Sequence, residues 1–188
     1  MVKLKANCLT DARDLRLASS MSTLPYRHNV GIALFNREGL VLIARRLRDD
    51  GPETIAPGHE WQMPQGGVDP HEETQAAALR ELWEETSVRS VSVLACMCPA
   101  MTYDFPPYTG PPHKLSAFSG QRQIWYAMRF LGDESEIDVT VGQNGEAAEF
   151  DTWRWALLSE TVDLVVPFKR AIYAAVSEAF ACFAHPTA

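Results

Sequence analysis

The sequence is short of positive charge: 17 Lys and Arg stand against 24 Asp and Glu, a formal net charge of −7 at pH 7. Binding along duplex nucleic acid is driven by counterion release at clustered Lys and Arg, so duplex DNA is excluded as a partner, whereas a single RNA end or a small nucleotide is not. Long apolar runs are also missing. None approaches the ~20 residues needed to cross a bilayer, and the opening MVKLKANCLTDARDLRLASS holds no uninterrupted apolar stretch of signal-peptide length. A soluble, cytoplasmic chain without membrane contact is the expectation. Cysteine is sparse. Cys8, Cys96, Cys98 and Cys182 form no CxxC pair, so buried free thiols in a reducing compartment are expected rather than zinc ligands or a disulfide framework, although CMC at 96 to 98 puts two thiols on one face of a strand. The 5 histidines are scattered without ligand spacing, which excludes a zinc centre. Internal repeats and low-complexity segments are absent as well.

What is present is an ordinary globular composition, 46% hydrophobic and 22% charged over 188 residues, enough for one domain with a real core and too little for two. Organised pattern begins only after Met21. Residues 1–24 are therefore expected to form a flexible arm, with translation starting at Met1 or at Met21, and residues 25–185 the domain. Val30 to Asn36 and Leu40 to Arg46 read as two strands of a hairpin turning at Glu38 and Gly39. Asp49 to Glu60, rich in Gly, Pro and acids, reads as a loop. Trp61 to Met63 reads as a short strand, and Pro64 to Gly67 as a turn. A helix is expected from about Glu72 to Thr86, then a strand through SVSVLACM, a Pro-rich loop from Pro99 to Ser119, strands through QIWYAMRFL and FDTWRW, and a closing amphipathic helix from Val165 to Ala184. Strands mixed with two main helices indicate α/β or α+β.

The sharpest feature is GGVDPHEETQAAALRELWEETSV, which crowds glutamates into a helix. At about 100° per residue, Ala76, Leu79, Leu82 and Trp83 fall on one face and Glu81, Glu84 and Glu85 on the opposite one, with Ala77 and Ala78 keeping the surface beside the acids low. Like charges at these spacings repel by a few tenths of a kcal/mol per pair, and Arg80 relieves only part of this through Glu84. Three carboxylates with spare oxygens suit a hard ion such as Mg²⁺ or Mn²⁺. The plain alternative is the solvated side of a surface helix. Gly66 and Gly67 ahead of the helix favour the ligand reading, because they allow the backbone to come close to a ligand. Asp69 is expected to cap the helix and Pro70 to fit its first turn.

Gly66, Glu72, Arg80-Glu81-Leu82, Glu84-Glu85 and Val88 stand at spacings that resemble the Nudix box. Such a pattern arises by chance at fewer than about one in a million starting positions. One position departs, Ser87 standing where the family's box has glycine. YRHNVGIALFN, WQMPQGG, GQRQIWYAMRF, EFDTWRW and VVPFKRAIY extend the likeness from about Tyr26 to Phe183, toward the branch of the family that acts on RNA 5′ ends and on dinucleoside polyphosphates. The resemblance implies the Nudix fold, an α/β/α sandwich around a mixed sheet, and hydrolysis of a nucleoside diphosphate linked to another group, with Mg²⁺ or Mn²⁺ in unspecified number.

It also implies site residues. Glu81, Glu84 and Glu85 are expected as metal ligands, Glu85 foremost. Glu149, just before FDTWRW, is expected as a further ligand or as the general base, its plain alternative being a surface acid. Glu72 and Arg80 are implied as an ion pair fastening the box loop to its helix. Arg27 and Gln65 are implied near the phosphates, Arg46, Val166 and Phe168 around the first or second base, and Lys169 toward a phosphate; an aromatic at the start of a helix is just as readily core. The expected activity is removal of pyrophosphate from the 5′-triphosphate end of RNA, initiating mRNA decay. One alternative is a diadenosine tetraphosphate hydrolase, which TYDFPP at 102 to 107 favours. Another is a catalytically silent nucleotide-binding domain, against which the intact box carboxylates speak.

Overall fold

A computed structural model describes residues 24–47, 51–143 and 147–187; the expected arm, residues 1–24, falls almost wholly outside them. One mixed sheet organises the chain. Its strands are β1 (Tyr26–Phe35), β2 (Val41–Arg46), β3 (Trp61–Gln62), β4 (Gln65–Gly67), β5 (Val91–Asp104), β6 (Gly120–Phe130) and β7 (Phe150–Ala156). The main path runs β3-β2-β1-β6-β5, with β4 on β1 and β7 on β2. The long β1 and β6 run parallel, in register from Tyr26 with Gly120 to Phe35 with Arg129, and the other pairings are antiparallel. The β1-β2 hairpin closes through Asn36, whose Oδ1 accepts from Leu40 N at 2.9 Å, and through Gly39 at φ 80°, a conformation that glycine adopts without steric cost.

Helices cover both faces of the sheet. Along β1, Val30, Ile32 and Leu34 face a core shared with Ala77, Ala78 and Leu82 of helix α1 (Thr74–Thr86). Ala33 and Phe35 face the other way, toward a core shared with Ile172, Tyr173 and Val176. Those residues belong to α3 (Arg170–Ala179), which follows the short α2 (Thr161–Leu164). Successive strand residues point to opposite faces, so a strand covered on both sides is apolar without alternation. This explains the run of buried residues from Asn29 to Phe35.

Several boundaries differ from expectation. Pro64 to Gly67 is not only a turn: Gln65, Gly66 and Gly67 pair with Gly31, Val30 and Asn29 as a strand. β5 does not stop before Pro99 but continues to Asp104, Tyr103 lying opposite Gln121, because β6 offers a long edge that Met101, Thr102 and Tyr103 extend. The helix starts at Thr74 rather than Glu72. Asp69 does not cap it; Asp69 to Glu72 closes a separate turn, with Glu72 N donating to Asp69 O at 3.0 Å and Asp69 N donating to Glu72 Oε2 at 3.0 Å. The closing helix is shorter, with 3₁₀ turns at Pro167–Lys169 and Ala181–Phe183 on either side; at its start Pro167 restricts its predecessor and lacks an N–H. The thiols of Cys96 and Cys182 are exposed and that of Cys98 half-buried, not buried as expected.

Candidate active site

Helix α1 is rotated from the setting its hydrophobicity pattern suggests, burying Leu82 as expected but turning Leu79 and Trp83 outward. Ala77, Ala78, Leu82 and Thr86 are buried, whereas Leu79 is 37% exposed and Trp83 is half-buried with the Arg89 guanidinium 4.2 Å over its ring. Two alanines let the helix approach the sheet closely, and close packing outweighs the larger transfer energy of one leucine. The acids consequently lie toward β4 and the sheet's end rather than on an open outer face.

Arg80 organises the acids and the loop together. Its Nε and Nη2 donate to the two oxygens of Glu72 at 2.9 and 2.8 Å, and Nη2 also donates to Gly67 O at 2.8 Å. Nη1 donates to Glu81 Oε1 and Glu84 Oε2, both at 2.8 Å. Gln65 N donates to Glu85 Oε2 at 2.9 Å, which ties the third glutamate to β4. The glycines are there for space: a Cβ on Gly66 would lie 1.9 Å from the Glu81 carboxylate, and one on Gly67 would lie 2.1 Å from the Arg27 guanidinium. Arg27 therefore sits beside the acids, half-buried.

Glu81, Glu84, Glu85 and Glu149 line one cavity of about 70 Å³, with Val139 and Gln143 also on its wall. Glu149 is placed there by Leu47 N, which donates to its backbone carbonyl at 2.9 Å, while Gln62 Nε2 donates to its side chain at 3.3 Å. Burial pushes the Glu85 carboxyl well above the usual carboxylate range, and Glu149 and Glu81 push it further. Burial also raises Glu81, against the opposing pull of Arg80. Arg80 balances only part of the like charge gathered in this cleft, and hard oxygen donors of this kind fit Mg²⁺ or Mn²⁺. Among the described residues no three acids, histidines or cysteines already converge into a closed cage: Arg80 engages two of the glutamates.

Beyond the acids runs a buried polar chain. Gln65 Oε1 accepts from Gln123 Nε2 and from Lys169 Nζ, each at 3.2 Å, and Gln123 also donates to Asn29 Oδ1 at 2.8 Å and to Gln121 Oε1 at 3.1 Å. Lys169 is not directed at solvent. It is 1% exposed and its Nζ lies 2.8 Å from Glu53 Oε2, while the Tyr103 hydroxyl donates to the other oxygen of Glu53. Burial alone would push the Glu53 carboxyl up, but Lys169, Tyr103 and Arg46 more than offset it and hold it below its ordinary range. For Lys169 the balance is reversed, burial pulling the ammonium down by more than Glu53 returns. Arg46 is buried too. Its Nη1 donates to Glu53 O at 2.8 Å, and its Nε, 3.9 Å from Glu149 Oε1, has no hydrogen-bond partner among the described residues. Val166, expected against a base, is 3% exposed and packs in the α3-side core. Phe168 is half-buried, its ring 5.7 Å from that of Tyr103.

Glu53, Gln62, Tyr103, Asn29, Gln121 and Gln123 thus join the site without having been singled out as site residues. The glutamines at 121 and 123 do carry a signal, two amides at strand spacing ahead of the apolar run Ile124 to Met128. Glu53, in a loop without periodicity, carries none. Ser87 takes up the left-handed cap at φ 65°. Its N–H donates to Trp83 O at 2.8 Å, its hydroxyl donates to Asp138 O at 3.1 Å and accepts from Gln143 Nε2 at 3.0 Å, bonds that offset the strain a glycine would avoid.

Residues 25–176 match the family model described as the NUDIX domain. The chain belongs to the Nudix family. Nudix hydrolases generally use divalent metal ions. This Nudix chain is 50% identical over 165 residues to a protein of Rhodopseudomonas palustris (strain BisB18) named RNA pyrophosphohydrolase, covering 88% of the chain and 93% of the relative. It is 52% identical over 162 residues to one of the same name from Bradyrhizobium sp. (strain ORS 278), covering 86% and 95%. Among solved structures it resembles the MutT protein of Methanosarcina mazei Go1, with a TM-score of 0.57 at 16% identity over 85% of this chain and 98% of that one. It also resembles a C. elegans Ap4A hydrolase binary complex, with a TM-score of 0.54 at 16% identity over 83% and 98%. At such identities the structures establish the shared Nudix fold, here with α1 and α3 on opposite faces of the sheet.

Proposed function

We propose that the chain is a metal-dependent Nudix hydrolase that removes pyrophosphate from the 5′-triphosphate end of RNA. The observation that carries this reading is the cleft in which Glu81, Glu84, Glu85 and Glu149 meet, in a chain about half identical to proteins named RNA pyrophosphohydrolase. Glu81, Glu84 and Glu85 hold Mg²⁺ or Mn²⁺, which when bound screens phosphate oxygens and makes water more acidic. Glu149, on the wall opposite α1 and oriented by Gln62, takes the proton of the attacking water. The bond between the first and second phosphates breaks, the water oxygen joins the phosphate left on the RNA, and pyrophosphate departs. Arg27 and Arg46, whose Nε faces Glu149 at 3.9 Å, supply positive charge toward the phosphates. Phe168 offers the face on which the first base stacks. Lys169 and Val166 act from behind, as the buried support of Gln65 and Phe168.

An enzyme of this kind works in the cytoplasm, where 5′-triphosphorylated transcripts arise and the product enters mRNA decay. Among the described residues no helix is long and apolar enough to cross a membrane. The catalytic domain is proposed to span residues 25–185. Chromatography of products from a 5′-triphosphorylated RNA and from diadenosine tetraphosphate, at equal concentrations with Mg²⁺, tests the reading. Faster release of pyrophosphate from the RNA is expected. Faster cleavage of the dinucleotide would replace the reading with dinucleoside polyphosphate hydrolysis, and nucleotide binding without turnover of either would make the domain a silent one.

A further inference from the structure

Cys96 and Cys98 lie away from the acidic cleft, on β5, the strand that ends the sheet's main path. Two residues apart on a strand, they project to the same side, and their sulfurs are 3.0 Å from each other. Cys96 is exposed and Cys98 half-buried. Cys96 stands opposite Tyr126 in the β5-β6 ladder, and the Tyr126 hydroxyl is 2.6 Å from Thr74 Oγ1 at the first residue of α1. The pair therefore occupies the α1 side of an edge strand, within reach of solvent. No third histidine, cysteine or acid joins it as a metal group among the described residues, which argues against a zinc cage, a site that needs four ligands.

We propose that Cys96 and Cys98 form a reactive vicinal dithiol that exchanges with small disulfides and closes an intramolecular disulfide. Cys96, the more exposed thiol, attacks a disulfide RSSR as its thiolate, forming Cys96–S–SR and releasing RS⁻. The Cys98 thiolate then attacks the Cys96 sulfur, forming the Cys96–Cys98 bond and releasing a second RS⁻, so that two protein thiols are oxidised as one RSSR becomes two RSH. Extended backbone sets the two Cα atoms ~6.6 Å apart, inside the upper edge of the disulfide range of about 4.4 to 6.8 Å. A bond closed at that edge belongs to the strained, readily reduced kind that cycles rather than staples.

The test uses the full chain and oxidised glutathione, followed by alkylation, intact mass and peptide mapping. In a Cys8→Ser/Cys182→Ser background, two equivalents of reduced glutathione should be released per protein. Both remaining thiols should resist alkylation, no glutathione should stay attached, and dithiothreitol should restore both thiols. Adding Cys96→Ser or Cys98→Ser to that background should halve the release to one equivalent and leave a glutathione on the surviving cysteine. The proposal fails if both thiols of the pair alkylate after treatment, if a mixed disulfide persists while both cysteines are present, or if the bond formed links two chains.

Discussion

Lys169 and Glu53, 116 residues apart in the chain, meet at 2.8 Å with side chains 1% and 5% exposed. Removing one partner of a buried pair strands the other charge, at a cost of about 3 to 5 kcal/mol. Lys169→Met and Glu53→Gln should each destabilise the fold by that order in urea unfolding, and the double variant should lose clearly less than the sum. Additive losses would mean that the two charges do not rely on each other. The pair also sets an acid limb. Because the folded Glu53 carboxyl lies below its unfolded value of about 4.3, its contribution is complete above that pH and is lost as pH falls through the folded value. Glu53→Gln should flatten stability against pH below about pH 4.

Glu85 behaves in the opposite sense. Its charged form is disfavoured in the folded chain by burial and by Glu149 and Glu81, so ionised Glu85 works against the metal-free fold. Glu85→Gln removes that charge at nearly constant volume, and Gln65 N keeps an acceptor. Without divalent metal the variant should melt at or above the wild-type temperature, while turnover with saturating Mg²⁺ falls by about 10²-fold or more. Near-normal turnover would remove Glu85 from the metal site.

The same charges predict how metal and pH are linked. A carboxyl raised in the fold destabilises it above its unfolded pKa of about 4.3, fully so once pH exceeds the folded value. On the proposed reading, Mg²⁺ or Mn²⁺ bound to the ionised acids would offset that penalty, and protons would compete with it. The rise in melting temperature on adding metal should therefore grow between pH 5 and pH 8, and chelation should cost most at the alkaline end. A metal effect independent of pH would mean that the cation binds elsewhere.

How much of this was legible is a question about individual residues. The box could be read through its resemblance to a family pattern, crowded carboxylates alone fitting the solvated side of a surface helix as well, and β1 could be read because a strand buried on both faces is apolar throughout. The orientation of α1 was not legible: Leu79 and Trp83 look like core, yet the smaller Ala77 and Ala78 take the sheet because they let backbones approach. β5 beyond Pro99 was hidden by a proline that reads as a breaker, and only the length of β6 reveals why pairing resumes. Glu53 lies in a loop of glycines, prolines and acids, and nothing local tells a surface acid from the counter-ion of a lysine far along the chain.

On the proposed reading Phe168 is the residue that tells substrates apart, because RNA and dinucleoside polyphosphates present the same phosphate chain to the cleft. Its ring is half-buried, 5.7 Å from that of Tyr103 and packed against the α3-side core, and its exposed part is the proposed seat of a base. Stacking is worth about 1 to 3 kcal/mol per base, and it should count most for RNA, whose second nucleotide holds the first in place. Phe168→Ala should lower kcat/KM on 5′-triphosphorylated RNA several-fold more than on a mononucleoside triphosphate, as measured by pyrophosphate release from each. Truncating a half-buried ring also removes contacts with Tyr103, so a modest fall in melting temperature is expected alongside. The split between substrates separates the two roles. An equal loss on RNA and mononucleotide would return Phe168 to the core, and a larger loss on diadenosine tetraphosphate than on RNA would assign the stacking face to a free second base.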